Sequence, residues 1–387
     1  MKKKILIYSS SRADIDRYVP IIKKILKENI FEPILFLSSF HKEKDSKKKL
    51  YEIKKLKIKL VKNNIKNKLN DNYTSTIEHF CYDLKRFNKI LLKLKPKMVF
   101  ILGDRFEIIS ASISSVLQDI TIIHLYGGAV TEGAVDEKIR HAVTKLSNIH
   151  LVLNKKYLKR VTQLGEEPWR IKLVGLEFLN ELKNQNIMSK KTLFKKFNLN
   201  TKIKTFFATY HPVTLEKDNH KYQIKNFLNA INKSKYQCIF TYPNFDSGYK
   251  LIIDEIKKLT KSNKRRYIFL KKLDLLEYAS VLKHCDAIIG NSSLGIVDST
   301  LFKKPVINIG NRQKGKIFSK NIIQSKNNSN DIINSINFLE SKKFKKSIRN
   351  LKNPYEPQKY NLSKFLNSLL TSKKYNINKK KFIDIIK

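Results

Sequence analysis

Acidic side chains gather behind two short apolar runs in the first third of the chain, and their spacing suits acid and base work. In Phe100-Ile-Leu-Gly-Asp-Arg-Phe-Glu107 the run ends on Gly103 and hands over at once to Asp104 and Arg105. In His124-Leu-Tyr-Gly-Gly-Ala-Val-Thr-Glu-Gly-Ala-Val-Asp-Glu-Lys-Ile-Arg-His141 it turns on Gly127-Gly128. A helical pattern follows, with Glu132, Asp136 and Glu137 around its start. Carboxylates that converge from adjacent strand ends drive their proton affinities apart, so that one accepts a proton while another gives one up. An apolar run that ends in glycines and leads into a helix is also where an α/β sheet turns backbone N–H groups toward a ligand at its carboxyl edge.

Groups suited to an anion recur at other expected strand ends. Ser9-Ser-Ser-Arg-Ala-Asp14 lacks the G-x-G-x-x-G of a dinucleotide turn. Its small hydroxyl residues still allow close approach to a phosphate, and Arg12 can pair with one bidentately. The plain alternative is an exposed turn with an ordinary N-cap. Ala208-Thr-Tyr-His-Pro-Val-Thr214 sets His211 at a strand end, with Pro212 forcing the chain out of the sheet. A lone histidine is usually a structural hydrogen-bonder, but this position favours ligand contact. Ile289-Gly-Asn-Ser-Ser-Leu-Gly-Ile-Val-Asp298 is stronger, with strand, turn and helix start in succession. Ser292 and Ser293 suit a diphosphate nest and Asp298 a sugar hydroxyl; the plain alternative is a well-capped helix. Asn308-Ile-Gly-Asn-Arg-Gln-Lys-Gly-Lys316 adds a basic loop with Arg312 on the same edge, whereas Phe240-Thr-Tyr-Pro-Asn-Phe-Asp-Ser-Gly248 makes a turn whatever its function.

Positioning these groups requires parallel strands, and the remaining pattern supplies them. Short apolar runs alternate with helical spacing throughout, which predicts βα units. Strands are expected at residues 5–9, 33–37, 98–103, 120–125, 150–153 and 171–174. After a polar, basic connection over 176–204 they resume at 205–209, 237–242, 267–270, 287–290 and 306–309. The expected fold is α/β, with two Rossmann-like domains and a ligand cleft between them. The N-terminal domain takes 1–178 and a nucleotide-binding C-terminal domain takes 179–353; a final helix in 354–387 returns to the first domain and carries a frayed basic tail.

Composition narrows the class. A chain of 387 residues exceeds one core. Its 79 Lys+Arg against 33 Asp+Glu give a formal charge of +46, but the lysines are scattered without interleaved aromatics. That pattern argues against a nucleic-acid partner while still attracting an anionic substrate. Cys81, Cys238 and Cys285 show no metal or redox spacing and read as buried free thiols of a reducing compartment. No run is long enough to cross a bilayer and the first residues read as a strand, so a cytoplasmic protein with no membrane partner is expected.

Eight strings together resemble the hydrolysing UDP-N-acetylglucosamine 2-epimerases, over residues 4–370. They are Ser10-Ser-Arg-Ala-Asp14, Gly103-Asp-Arg-Phe-Glu107, Gly127-Gly128 with the segment from Thr131 to Ser147, Leu164-Gly-Glu-Glu-Pro168, Tyr210-His-Pro-Val-Thr214, Thr241-Tyr-Pro-Asn244, Asn291-Ser-Ser293 and Asn308-Ile-Gly-Asn-Arg-Gln-Lys-Gly315. The resemblance implies a glycosyltransferase-B-like architecture, no cofactor, no metal, and a homo-oligomer, dimer or tetramer. It implies conversion of the nucleotide sugar UDP-N-acetylglucosamine to N-acetylmannosamine and UDP, on a route to sialic-acid-type sugars. Asp104, Asp136, Glu132 and His211 are the implied catalytic residues. Arg12, Arg105, Arg140, His211, Asn244, Ser292, Ser293, Asp298 and Arg312 are the implied UDP-sugar contacts. Four positions depart from the family pattern: Ala129 replaces a glutamate, Tyr126 a histidine or acid, Asp298 a glutamate, and Glu356 a glycine. Alternatives are the same chemistry on a GDP-linked or modified amino sugar, a catalytically impaired nucleotide-sugar-binding relative, or a glycosyltransferase.

Overall fold

Uninterrupted apolar runs form the strands, because a parallel strand buried on both faces has no solvent side toward which to alternate. Ile5, Leu6, Ile7 and Tyr8 are all 0% exposed. Ile5 and Ile7 join the core on one face of their sheet, Leu6 and Tyr8 the core on the other. The computed structural model describes residues 2–41, 50–51, 53–63, 73–132, 134–213, 215–243, 246–372 and 376–384, with the backbone alone at Arg12, Ala13, Tyr73 and Lys217.

The first sheet contains β1 (Lys3–Ser9), β2 (Phe31–Leu37), β3 (Lys59–Lys62), β4 (Met98–Leu102), β5 (Thr121–Leu125), β6 (Ile149–Val152) and β7 (Ile171–Leu173). Their order is β3-β2-β1-β4-β5-β6-β7. The second contains β8 (Thr205–Thr209), β9 (Gln237–Thr241), β10 (Tyr267–Leu270), β11 (Ala287–Gly290), β12 (Val306–Ile309) and β13 (Ile322–Ser325), in the order β10-β9-β8-β11-β12-β13. Every pairing between these strands is parallel. The chain divides into one unit of Met1–Ala129, Asp136–Phe178 and Tyr355–Lys387 and a second of Val130–Val135 and Leu179–Pro354.

Several expectations need correction. Strands β3 and β13 escape the pattern because each is a short edge strand of four residues, with no fully buried apolar run to mark it. The stretch read as a polar connection holds helices Phe178–Lys183 and Lys190–Lys196, which bury Leu179, Leu182, Leu193 and Phe194. The tail is not frayed over 376–384. Arg170, 0% exposed, donates to the carbonyls of Ile377 at 2.7 Å and Lys379 at 2.9 Å. The Ile383 N–H donates to Gly165 O at 3.0 Å. A buried guanidinium needs acceptors, and the tail's carbonyls supply them. Cys81 is exposed, on the helix Tyr73–Leu94, whereas Cys238 and Cys285 are buried. Burial raises both of these thiols, Cys285 to about 12, which leaves them inert. Among the described residues no helix is long and apolar enough to cross a membrane, and no group of His, Cys, Asp and Glu could hold a metal ion.

Candidate active site

Each sheet reverses its strand order once, between β1 and β4 in the first and between β8 and β11 in the second. Strand ends on either side of such a switch diverge and leave a crevice for a ligand. The candidate residues lie at these two carboxyl edges.

At the first edge Asp104 follows β4, and its side chain keeps 33% of its surface exposed. Behind it lies Arg140, 0% exposed, on the helix Asp136–Leu146 that follows β5. Arg140 forms an ion pair with Asp104 through Oδ2, a second with Glu137 at 2.5 Å, and donates to the Ala129 carbonyl at 3.0 Å. Burial works against the guanidinium, but Asp104 and Glu137 outweigh it and its proton affinity rises. A fully buried side chain engaged in this way orients carboxylates and presents nothing to a ligand, contrary to the expected substrate contact at Arg140. Asp136 stands in the first turn of the same helix.

His124 ties these parts together. Its Nε2–H donates to the Gly103 carbonyl at 2.7 Å, immediately before Asp104. Its Nδ1 lies 3.2 Å from Thr144 Oγ1, which also lies 2.9 Å from the Arg140 carbonyl. Burial lowers the imidazole pKa to about 4, so the ring is neutral at physiological pH and the Nε2–H tautomer is the one that satisfies Gly103. The paired glycines are required here. A Cβ on Gly127 would lie 3.0 Å from both His124 Nδ1 and Thr144 Oγ1, and one on Gly128, at φ +79°, would meet the Tyr157 carbonyl at 2.5 Å.

Other candidates at this edge are committed to protein partners. Asp14 Oδ2 accepts from the N–H groups of Ser10 and Ser11 at 2.7 and 2.9 Å. The first turn is therefore a helix start closed by its own carboxylate, and it is not the exposed turn of the plainer reading, since Ser9 and Ser10 are buried. Arg12 opens the helix Arg12–Leu26, but its side chain lies outside the described residues. Arg105 clasps buried Glu107 at 2.6 Å. Tyr126, at φ +73°, packs its ring against the core on one face of the first sheet. Ala129 is 8% exposed and offers only a methyl. Glu132 belongs to the second unit, where its carboxylate pairs with Lys314 at 2.8 Å and its N–H donates to the Lys314 carbonyl at 2.9 Å.

At the second edge β8 ends before His211, and β11 before Asn291. Asn291 brackets the His211 backbone: its Oδ1 accepts from His211 N–H at 2.7 Å and its Nδ2 donates to His211 O at 2.8 Å. The His211 ring reaches Ser292 Oγ at 3.2 Å. Arg312 and Gln313 both donate to the Asn291 carbonyl, at 3.2 and 3.0 Å, and Arg312 lies 3.8 Å from Asp246. Ser293 is exposed at the start of a short helix. Asp298 is 0% exposed and accepts from the Tyr278 hydroxyl at 2.7 Å. Asn244 lies outside the described residues. Sequence reasoning missed Asn291, His124 and Tyr278 as members of these sites. Polar residues within or just after apolar runs are the signal for the first two.

A sequence model of the UDP-N-acetylglucosamine 2-epimerase family matches residues 23–361. The chain belongs to that family. It is 37% identical over 249 residues to the GDP/UDP-N,N'-diacetylbacillosamine 2-epimerase (hydrolyzing) of Campylobacter jejuni, covering 64% of this chain and 65% of the relative, just under two thirds of its length. It is 28% identical over 313 residues to the UDP-N,N'-diacetylbacillosamine 2-epimerase (hydrolyzing) of Legionella pneumophila, covering 81% of this chain and 82% of that one. The two parallel-sheet units reproduce the fold of the Neisseria meningitidis UDP-GlcNAc 2-epimerase solved with UDP-GlcNAc bound. The TM-score is 0.78 at 16% identity, over 95% of this chain and all of that one.

Proposed function

We propose that this member of the family is a hydrolysing 2-epimerase of UDP-linked 2-acetamido sugars, with UDP-N,N'-diacetylbacillosamine as the preferred substrate and UDP-N-acetylglucosamine as the second. The observation that carries the chemistry is the half-exposed Asp104 carboxylate oriented by fully buried Arg140 beside the switch point. Asp104 takes the proton from sugar C2. The electron pair of that bond forms the C1–C2 double bond as the C1–O bond breaks and UDP departs with its electrons. C2 then receives the proton of Asp136 on the opposite face as water bonds its oxygen to C1, the water's proton passes back to Asp136, and Asp104 gives the proton it took to solvent. The products are UDP and the free 2-epimer. Within the second unit, His211, Ser292 and Arg312 gather at one sheet edge, a set of donors suited to the charge of a diphosphate.

The preference for the doubly acetylated sugar rests on the names of the two relatives above. The test is to give the purified chain each UDP-sugar in turn, measuring UDP release and identifying the freed sugar by NMR. Faster release from UDP-N,N'-diacetylbacillosamine is expected, and both sugars recovered intact after long incubation would refute the reading. Ala129 favours one other reading, a nucleotide-sugar binder without turnover. Tight UDP binding with no release would establish it.

A further inference from the structure

The turn that carries Asp104 also carries an aromatic ring with no part in the acid and base steps. Phe106 lies two residues after Asp104, and its turn is fixed from both sides: Arg105 clasps Glu107 at 2.6 Å, and Tyr8 Oη donates to the Glu107 carbonyl at 3.1 Å. A second ring, Phe40, follows the end of β2. The Phe40 N–H donates to Ser38 Oγ at 3.2 Å, and that hydroxyl donates to the Ser10 carbonyl at 2.9 Å, which ties this turn to the end of β1. The two rings meet edge to face, with centroids 5.4 Å apart and planes at 90°. Phe40 also packs against the buried His79 ring, at 5.6 Å between centroids.

Strands β2 and β4 lie on opposite sides of β1, so their ends are roughly 10 Å apart. Rings that touch across this span close over the end of β1, where the strand order reverses and Asp104 stands. Neither ring joins the core on either face of the sheet, and both are half-buried. They therefore present apolar surface beside turns built from the buried residues Ser9, Ser10 and Ser38. Such a wall favours an apolar substituent on a sugar, because a hydroxyl set against it gives up water and finds no partner. The two UDP-sugars named above differ in this respect, since the doubly acetylated one carries a second acetamido group in place of a hydroxyl.

We propose that Phe40 is a specificity-determining residue that packs its ring against the methyl of the second acetamido group, with Phe106 as the positioning residue that holds it beside Asp104. The proposal rests on the 2-epimerase reading above and gives its substrate order a physical cause. Steady-state kinetics with each UDP-sugar tests it. In the wild-type chain kcat/KM should favour UDP-N,N'-diacetylbacillosamine by on the order of 10-fold, the discrimination that one small apolar group gives in an apolar pocket. Phe40→Ala removes the wall, and Phe40→Gln keeps bulk but puts an amide there. Either should bring the two kcat/KM values to within about 2-fold of each other, with the loss carried by the KM of the doubly acetylated sugar. Phe40→Leu, which stays apolar, should keep most of the preference. A wild-type ratio retained in folded Phe40→Ala or Phe40→Gln, an equal fall for both sugars included, overturns the proposal and leaves the substrate order standing. A wild-type chain that favours neither sugar overturns the substrate order and the proposal with it.

Discussion

Glu166 offers the sharpest test of what holds the first unit together. It is 0% exposed and is held by His150 Nε2 at 2.9 Å, Lys145 Nζ at 2.7 Å and, from the tail, Lys380 Nζ at 2.8 Å. Lys380 also donates to the carbonyls of Lys145 and Ser147, at 2.8 and 2.7 Å, at the C-terminal end of the helix that carries Asp136 and Arg140. Burial opposes the carboxylate, but these donors prevail and its pKa falls from 4.5 to about 2. At about 1.4 kcal/mol per unit, the shift corresponds to at most about 3 kcal/mol. The lysines are 40% and 20% exposed, so screening reduces this to roughly 2 kcal/mol. Glu166→Gln should therefore lower the melting transition of this unit by about 4–8 °C at pH 7. The folded-state pKa is depressed, so the contribution is complete above pH 4.5 and is lost as pH falls toward 2. The gap between wild type and variant should be flat from pH 8 to 5 and close progressively in acid, as read by circular dichroism melts. Hydrogen exchange over 376–384 should quicken in the variant. A gap below about 0.5 kcal/mol at pH 7, the range of ordinary surface changes, would refute the reasoning, as would one that persists undiminished at pH 3.

Further outcomes follow from the same geometry. Asp104→Asn should cut turnover by roughly 10³-fold or more while leaving UDP affinity unchanged by titration, since it removes proton transfer and keeps the shape. Arg140→Met should cost about 1–3 kcal/mol in unfolding experiments, because it leaves the partly exposed Asp104 and Glu137 without their cation and takes a donor from the Ala129 carbonyl. Asp83 has its pKa raised to about 6 by burial, against donors from Ser39, Asn63 and Tyr8. Its stabilisation is complete below about pH 3.8 and is lost as pH rises to about 6, so Asp83→Asn should flatten the decline in stability between about pH 4 and 6.

Buried parallel strands were legible because their apolar runs leave no other reading, and strands at 205–209, 287–290 and 306–309 coincide with the observed ones. The edge strands β3 and β13 were not legible, since Lys59-Leu-Val-Lys62 looks like a surface turn until β2 pairs with it, whereas the edge strand β10 was marked by its apolar run. The tail misled for the opposite reason: its lysines suggested solvent, but Lys380 and the backbone carbonyls answer buried Glu166 and Arg170, which only the fold brings to them. At the candidate site the acids announced themselves at strand ends. Their partners did not, because whether Arg140 faces a ligand or a carboxylate depends on which side of its helix is covered. Tyr278 stayed hidden because its acceptor lies twenty residues away on another element.

The most direct measurement is the reaction run in D2O with UDP-N,N'-diacetylbacillosamine and, in parallel, UDP-N-acetylglucosamine. Proton abstraction at C2 followed by elimination and hydration requires one UDP per sugar released, with inverted configuration and a single deuterium at C2. UDP release with the original hydrogen retained at C2 would mean simple hydrolysis, and would contradict the assignment of Asp104 and Asp136 to acid–base chemistry at that carbon.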